Sequence, residues 1–205
     1  MIAIIDAGRG NLGSVVRIFR DVGMPAIVTS DARTIDGADA VVFPGDGAFH
    51  DTMASLTERG LLEPVRRALD GRRPFLGICL GYQLLFSTSE EFGEGCGLDV
   101  IPGVVRRLPV GCEVPHMGWN RVWHGGGLRL FDGIEDGARF YFVHSYIPAI
   151  DWSAGARHAW CDYGGRFPAA VEVGRIHATQ FHPEKSQAAG LRLLTNFAAI
   201  CQNSQ

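Results

Sequence analysis

In Gly77-Ile78-Cys79-Leu80-Gly81 one cysteine stands between two glycines, at the point where an apolar run beginning at Pro74 takes on helical spacing. A strand-to-helix elbow of the G-x-nucleophile-x-G kind has this form. Its central residue is held in a strained backbone conformation, and side chains two positions to either side would collide. Cys79 is therefore the candidate nucleophile, raised above a sheet. The N-terminus of the helix that follows places partial positive charge beside the sulfur and favours the thiolate, the attacking species. The plain alternative is a buried core cysteine, and a base elsewhere in the chain decides between the two.

That base is His182, in His177-Ala178-Thr179-Gln180-Phe181-His182-Pro183-Glu184-Lys185-Ser186, which reads as a strand end, a turn and a helix start. One ring nitrogen of His182 can take the thiol proton. Glu184, two residues on and kept extended by Pro183, can hold the other nitrogen in the matching tautomer. Such a pair meets in space and not in sequence. Acyl transfer also needs donors for the oxyanion of a tetrahedral intermediate. Asp39 to Phe49 reads as a buried strand ending in a Pro-Gly-x-Gly loop, so the backbone of Gly45, Asp46 and Gly47, with the N–H of Leu80, is the candidate oxyanion site.

The elements that must carry these groups are short apolar strands alternating with amphipathic helices. Strands are predicted over Ile2 to Ile5, Ala26 to Val28, Ala40 to Phe43 and Phe75 to Ile78, and helices over Leu12 to Val22, Leu61 to Leu69 and Tyr82 to Phe86. This βαβ pattern implies a parallel sheet. From Val104 to Phe181 strands dominate, with Gly-rich turns, before Ser186 caps a last helix running to about Ile200. The fold class is α/β, with an open, mixed, mostly parallel central sheet and helices on both faces. Active residues then fall at the carboxyl ends of central strands. With 205 residues and no composition shift or linker, the chain reads as a single domain over residues 1–205.

Charge and cysteine usage narrow the partners. The net charge is −3 and the 19 basic residues are scattered, so no nucleic acid partner is expected. Five cysteines form an odd set with no C-x-x-C pair, which argues against a disulfide framework or a zinc site and for a reducing cytoplasm. Met1 to Asp6 has no basic leader region, and no stretch approaches the ~18 apolar residues of a spanning helix. A soluble, cytoplasmic protein with no cofactor, no metal and no membrane is expected. One motif competes: Gly8-Arg9-Gly10-Asn11-Leu12-Gly13 is a G-x-G-x-x-G after a strand, with Asp31 in the place of a ribose ligand. Against it, Asp6 puts a carboxylate where a pyrophosphate would lie.

The elbow, the Pro-Gly-x-Gly loop and the His-Pro-Glu turn, in this order, resemble the class I (triad) glutamine amidotransferases, whose fold is flavodoxin-like. Further stretches narrow the likeness: Asp6 to Gly13, Val114-Pro115-His116-Met117-Gly118-Trp119-Asn120, and Phe140-Tyr141-Phe142-Val143-His144-Ser145-Tyr146. Together they are similar to the glutaminase subunits of imidazole glycerol phosphate synthases, across essentially the whole chain. The resemblance implies a heterodimer with a (β/α)8-barrel cyclase. It further implies that this chain hydrolyses L-glutamine and that the cyclase uses the ammonia to make imidazole glycerol phosphate and aminoimidazole carboxamide ribotide in histidine biosynthesis. It assigns Cys79, His182 and Glu184 to the triad. Gly47, Gln83, Glu91 and the backbone of Ser145 and Tyr146 are to hold glutamine. By the same resemblance Asn11, Trp119, Tyr141 and Lys185 are expected to lie toward the cyclase.

The family loop usually reads Pro-Gly-Val-Gly, and here Asp46 replaces the valine, with its side chain expected to point outward or to bind a backbone donor. Arg9 and Tyr82 stand where methionine is usual, and Ala7 where tyrosine is usual. Three other functions stay open at this level. They are a γ-glutamyl hydrolase of the same fold, a paralogue supplying ammonia for amidino-sugar synthesis, and a nucleotide-binding regulatory module resting on the Gly8 to Gly13 loop.

Overall fold

Ile2–Ile5 (β1) is apolar throughout because both of its faces are buried: Ile2 and Ile4 pack into one hydrophobic cluster and Ile5 into another. The computed structural model describes residues 1–8, 12–150 and 157–203. After β1 the chain forms Leu12–Asp21 (α1), Ala26–Thr29 (β2), Ala32–Asp36 (α2), Ala40–Gly45 (β3), Phe49–Glu58 (α3) and Leu62–Ala68 (α4). Phe75–Cys79 (β4) leads into Leu80–Gln83 (α5), then Phe86–Ser89 (β5), Gly95–Cys96 (β6) and Ile101–Arg107 (β7). His116–Val122 (β8), Ala138–His144 (β9), Tyr146–Ile150 (β10), Arg157–Asp162 (β11), Arg166–Val173 (β12), Ile176–Thr179 (β13) and Gln187–Gln202 (α6) complete it.

Seven strands form the central sheet in the order β11-β12-β13-β4-β3-β1-β2. The run from β13 to β2 is parallel, and β12 and β11 add antiparallel strands at one edge. This mixed, mostly parallel sheet is the one expected. Alternate residues of β3 and β4 divide between the two cores: Val42, Leu76 and Ile78 join Val15 and Phe19 of α1 and Leu193 and Phe197 of α6, while Val41, Phe43 and Phe75 join Leu56 of α3 and Val65 of α4. Burial on both faces is why these strands read as continuous apolar runs. A four-stranded sheet, β10-β7-β5-β6, and a two-stranded ribbon, β8-β9, lie outside the central sheet.

Four local readings change. The helix predicted from Tyr82 to Phe86 is instead the single turn α5, and Phe86 opens β5 by pairing with Ile101. Helices α2 and α3 were not predicted. Asp31, in the place of a ribose ligand, caps α2 by accepting the Thr34 N–H and hydroxyl, which takes it out of the nucleotide reading. Ser186 stands at the start of α6 but its hydroxyl makes no cap bond: it donates to the His182 carbonyl and accepts from the Tyr141 N–H.

Candidate active site

Cys79 ends β4 with φ +55° and ψ −101°, a left-handed region that costs an L residue energy and persists only where the surroundings enforce it. A Cβ on Gly77 would lie 2.6 Å from the Gly81 carbonyl oxygen, and one on Gly81 would lie 1.9 Å from that of Phe43. Both glycines are therefore steric requirements of the elbow, and at Gly81 the obstacle is β3. Because α5 has only four residues, its N-terminus offers the sulfur less than a full helix would. The stronger influence on the site comes from elsewhere.

It comes from β13. That strand lies parallel to β4 with Thr179 opposite Ile78, so the chain leaving β13 emerges beside the elbow. Gln180 Nε2 is 3.8 Å from Cys79 Sγ. Two residues on, His182 Nδ1 is 2.7 Å from Glu184 Oε1, and the two side chains are only 6% and 3% exposed. Burial opposes a charged His182 ring, but the Cys79 sulfur and then the Glu184 carboxylate outweigh it and raise the pKa to about 10. The arrangement favours the protonated His182 ring. His182 Nε2 is buried without a hydrogen-bond partner among the described residues, while Cys79 Sγ sits 3.9 Å from the Val143 carbonyl oxygen.

Cys79 opens into a cavity of about 190 Å3 whose wall includes Asp46, Gly47, Leu80, Gln83, Glu91, Ser145 and Tyr146. These are expected substrate residues, brought together from four separate stretches of chain. Gly45 is buried at the end of β3, paired with Cys79. Gly47 has φ +116°, which glycine alone adopts readily. Asp46 is exposed at the lip, as expected, and bonds to no backbone donor among the described residues. Glu91 is 9% exposed, and its Oε2 accepts the Phe49 N–H at 2.7 Å, anchoring the start of α3.

Gln83 Nε2 donates to the Tyr146 carbonyl at 2.9 Å and to Gln180 Oε1 at 3.1 Å. Both its amide hydrogens are thus engaged, and its oxygen is the group left for a ligand. The Ser145 carbonyl accepts the Leu108 N–H. Val143, His144 and Pro115 also line the cavity, although no sequence pattern singles out their roles.

A family model described as glutamine amidotransferase class-I matches residues 3–201. The chain belongs to this family. Among curated proteins, this amidotransferase is 50% identical over 204 residues to the imidazole glycerol phosphate synthase subunit HisH of Syntrophotalea carbinolica, with 96% of this chain and 98% of that one covered. It is also 50% identical over 202 residues to the subunit of the same name from Methanothermobacter thermautotrophicus, with 98% of each covered. A crystal structure of a glutamine amidotransferase superposes with a TM-score of 0.76 at 19% identity, over 98% of this chain and 100% of the other. The glutaminase domain of Trypanosoma brucei CTPS gives 0.70 at 18% identity, over 98% and 93%. At those identities the likeness establishes the fold.

On this amidotransferase, Trp119 of β8 stands opposite Tyr141 of β9, with ring centroids 6.1 Å apart at 73°, and Lys185 Nζ lies 5.9 Å from the Tyr141 ring centroid. Trp119 is 42% exposed and its neighbour Met117 63%. Three of the expected partner-facing residues therefore form one cluster. Asn11, the fourth, lies outside the described residues, as do Arg9 and Gly10 of the Gly8 to Gly13 loop. Tyr82, the departure from the usual methionine, is fully buried with its hydroxyl on the Pro168 carbonyl.

Proposed function

We propose that this chain is the glutaminase subunit of an imidazole glycerol phosphate synthase, acting through Cys79, His182 and Glu184 and passing ammonia to a (β/α)8-barrel cyclase in a heterodimer. One observation carries the reading. A cysteine in a strained elbow opens into a cavity and acts electrostatically on a buried histidine paired with a carboxylate, in a chain half identical to proteins bearing that subunit name.

In the first half-reaction the Cys79 thiolate adds to the side-chain amide carbon of glutamine, with the Gly45–Gly47 loop and the Leu80 N–H opposite the oxyanion. His182 gives its Nε2 proton to the nitrogen as the C–N bond breaks, releasing ammonia and leaving a γ-glutamyl thioester. His182 then takes a proton from water, whose oxygen displaces the sulfur and frees glutamate. Glu184 keeps the ring in one tautomer throughout. Glu91 and the Gln83 oxygen are placed to receive the α-ammonium and amide of the substrate. Ammonia leaves on the Trp119–Tyr141–Lys185 side, where the cyclase docks; Trp and Tyr are favoured anchors at such faces.

The test uses Cys79→Ala in the assembled complex. Glutamine-dependent synthesis is expected to vanish while ammonia-dependent synthesis remains, and a glutamine-analogue electrophile is expected to label wild type and not the variant. Glutamine cleavage without any barrel partner, or activity only with an amidino-sugar acceptor, would move the chain to one of its rivals.

A further inference from the structure

A chain of three side chains runs from β8 to the cavity wall, and its hydrogen positions are determined at every step. Asn120 Nδ2 donates to the Asp162 carbonyl at 3.1 Å and its Oδ1 accepts the Arg121 N–H at 2.8 Å, so backbone groups fix which way the amide points. The second Nδ2 hydrogen meets His116 Nε2 at 3.3 Å, making that nitrogen an acceptor. His116 therefore carries its proton on Nδ1, which lies 3.0 Å from His144 Nε2. That nitrogen is in turn an acceptor. His144 is left with its proton on Nδ1, 2.9 Å from the Tyr146 carbonyl oxygen.

The rings are neutral, as the chain requires: burial lowers the His116 pKa to about 4 and, with His116 beside it, the His144 pKa to about 3. A proton added to either would set N–H against N–H. His116 is stacked against Phe142 and Tyr163, with centroids at 4.8 and 3.9 Å, which holds the plane of the ring. The Tyr146 carbonyl at the end of the chain is the same one that holds Gln83, which lines the cavity with His144 and Tyr146.

The geometry points to His144 as a positioning residue for glutamine, its tautomer set by Asn120 and His116, holding the Tyr146 carbonyl and through it Gln83 in the wall on which the substrate lies. This inference rests on the glutaminase reading. Because it acts on groups that bind substrate rather than on the nucleophile, its loss weakens ground state and transition state alike and falls on KM.

The experiment measures glutamine hydrolysis by the full chain in complex with its partner. His144→Phe is expected to raise KM for glutamine about tenfold, as losing a buried hydrogen bond does, with kcat within about threefold. His144→Asn, whose amide N–H falls near the position of Nδ1–H, is expected to recover most of that loss. His116→Phe keeps the stack but removes the N–H to His144, and is expected to raise KM by a smaller factor. Imidazole 15N NMR of wild type is expected to show both rings protonated at Nδ1, which decides the tautomers even where His144→Phe fails to fold.

Protonation at Nε2 on His144, an unchanged KM in a folded His144→Phe, a fall in kcat alone, or Asn no better than Phe would each overturn the inference. A wild-type complex without glutaminase activity would remove the functional reading and this inference with it. An active wild type with an indifferent His144→Phe removes the inference alone.

Discussion

His182 and Tyr141 hold each other by their backbones. The His182 N–H donates to the Tyr141 carbonyl at 2.9 Å, while Ser186 Oγ accepts the Tyr141 N–H at 2.9 Å and donates to the His182 carbonyl at 2.6 Å. The proposed base is thereby suspended from the β8-β9 ribbon, whose other strand presents Trp119 and Met117 to solvent. Seating of a partner on that ribbon has a direct mechanical route to the base.

Ser186→Ala tests the link. Ser186 is 1% exposed, so the substitution strands a buried N–H and weakens the hold on a carbonyl. Unfolding free energy is expected to fall by about 1–3 kcal/mol, measured by urea denaturation. Glutaminase kcat of the complex is expected to drop more than KM rises, because the displaced group is the base and not a substrate contact.

Glu184→Gln changes the pH profile in a determined direction. Glu184 is one of the groups raising the His182 pKa to about 10, so its neutralisation moves that pKa down. The alkaline limb of kcat, where the imidazolium needed to protonate departing ammonia is lost, is expected to shift to lower pH. The magnitude of kcat is expected to fall about 10²–10⁴-fold, since an amide can hold the ring in the wrong tautomer. In wild type the sign for stability is the same: a folded pKa above the unfolded value of about 6.5 contributes fully below that pH and is lost as pH rises through about 10. An alkaline limb that stays in place would separate Glu184 from His182.

The elbow, the βαβ alternation and the His-Pro-Glu turn are legible in the sequence because each depends on residues near one another along the chain. What is not legible is whatever depends on pairing between distant strands. Cys79 and His182 meet because β13 docks in register against β4, and nothing in either segment states that register. Leu84-Leu85-Phe86 suits a buried helix or a buried strand equally, and only the pairing of Phe86 with Ile101 settles it. His116 and His144 are visible as residues of two motifs. That they are cross-strand partners follows from the β8-β9 register alone.

Away from the site, Glu172 of β12 is buried, with its carboxylate held by the Arg129 N–H, the Arg129 and Arg157 guanidinium groups and His177 Nδ1 at 3.4 Å. Burial alone would raise its pKa, but the His177 and Arg129 contacts overcome this and bring it down to about 2. A depressed carboxylate contributes stability above its unfolded pKa of about 4.5 and loses it as pH falls through about 2. Glu172→Gln is expected to cost about 1–3 kcal/mol at neutral pH, with the gap to wild type closing between about pH 4.5 and 2 in urea titrations. A gap independent of pH would mean that the side chain acts by packing and not by charge.

Asp46 stands at the cavity lip with Gly47 and Leu80, two of the proposed oxyanion donors. A carboxylate there repels the negative charge that develops on the substrate oxygen, and because Asp46 is exposed, water and salt screen the repulsion without removing it. Asp46→Val is expected to raise glutaminase kcat/KM about 2–5-fold at low ionic strength, the advantage shrinking as salt is added. Asp46→Asn, of nearly the same shape, separates charge from loop geometry. An equal gain from Asn and Val assigns the effect to charge. A gain from Val alone, insensitive to salt, would instead mean that the aspartate changes how the Gly45–Gly47 backbone turns its N–H groups toward Cys79.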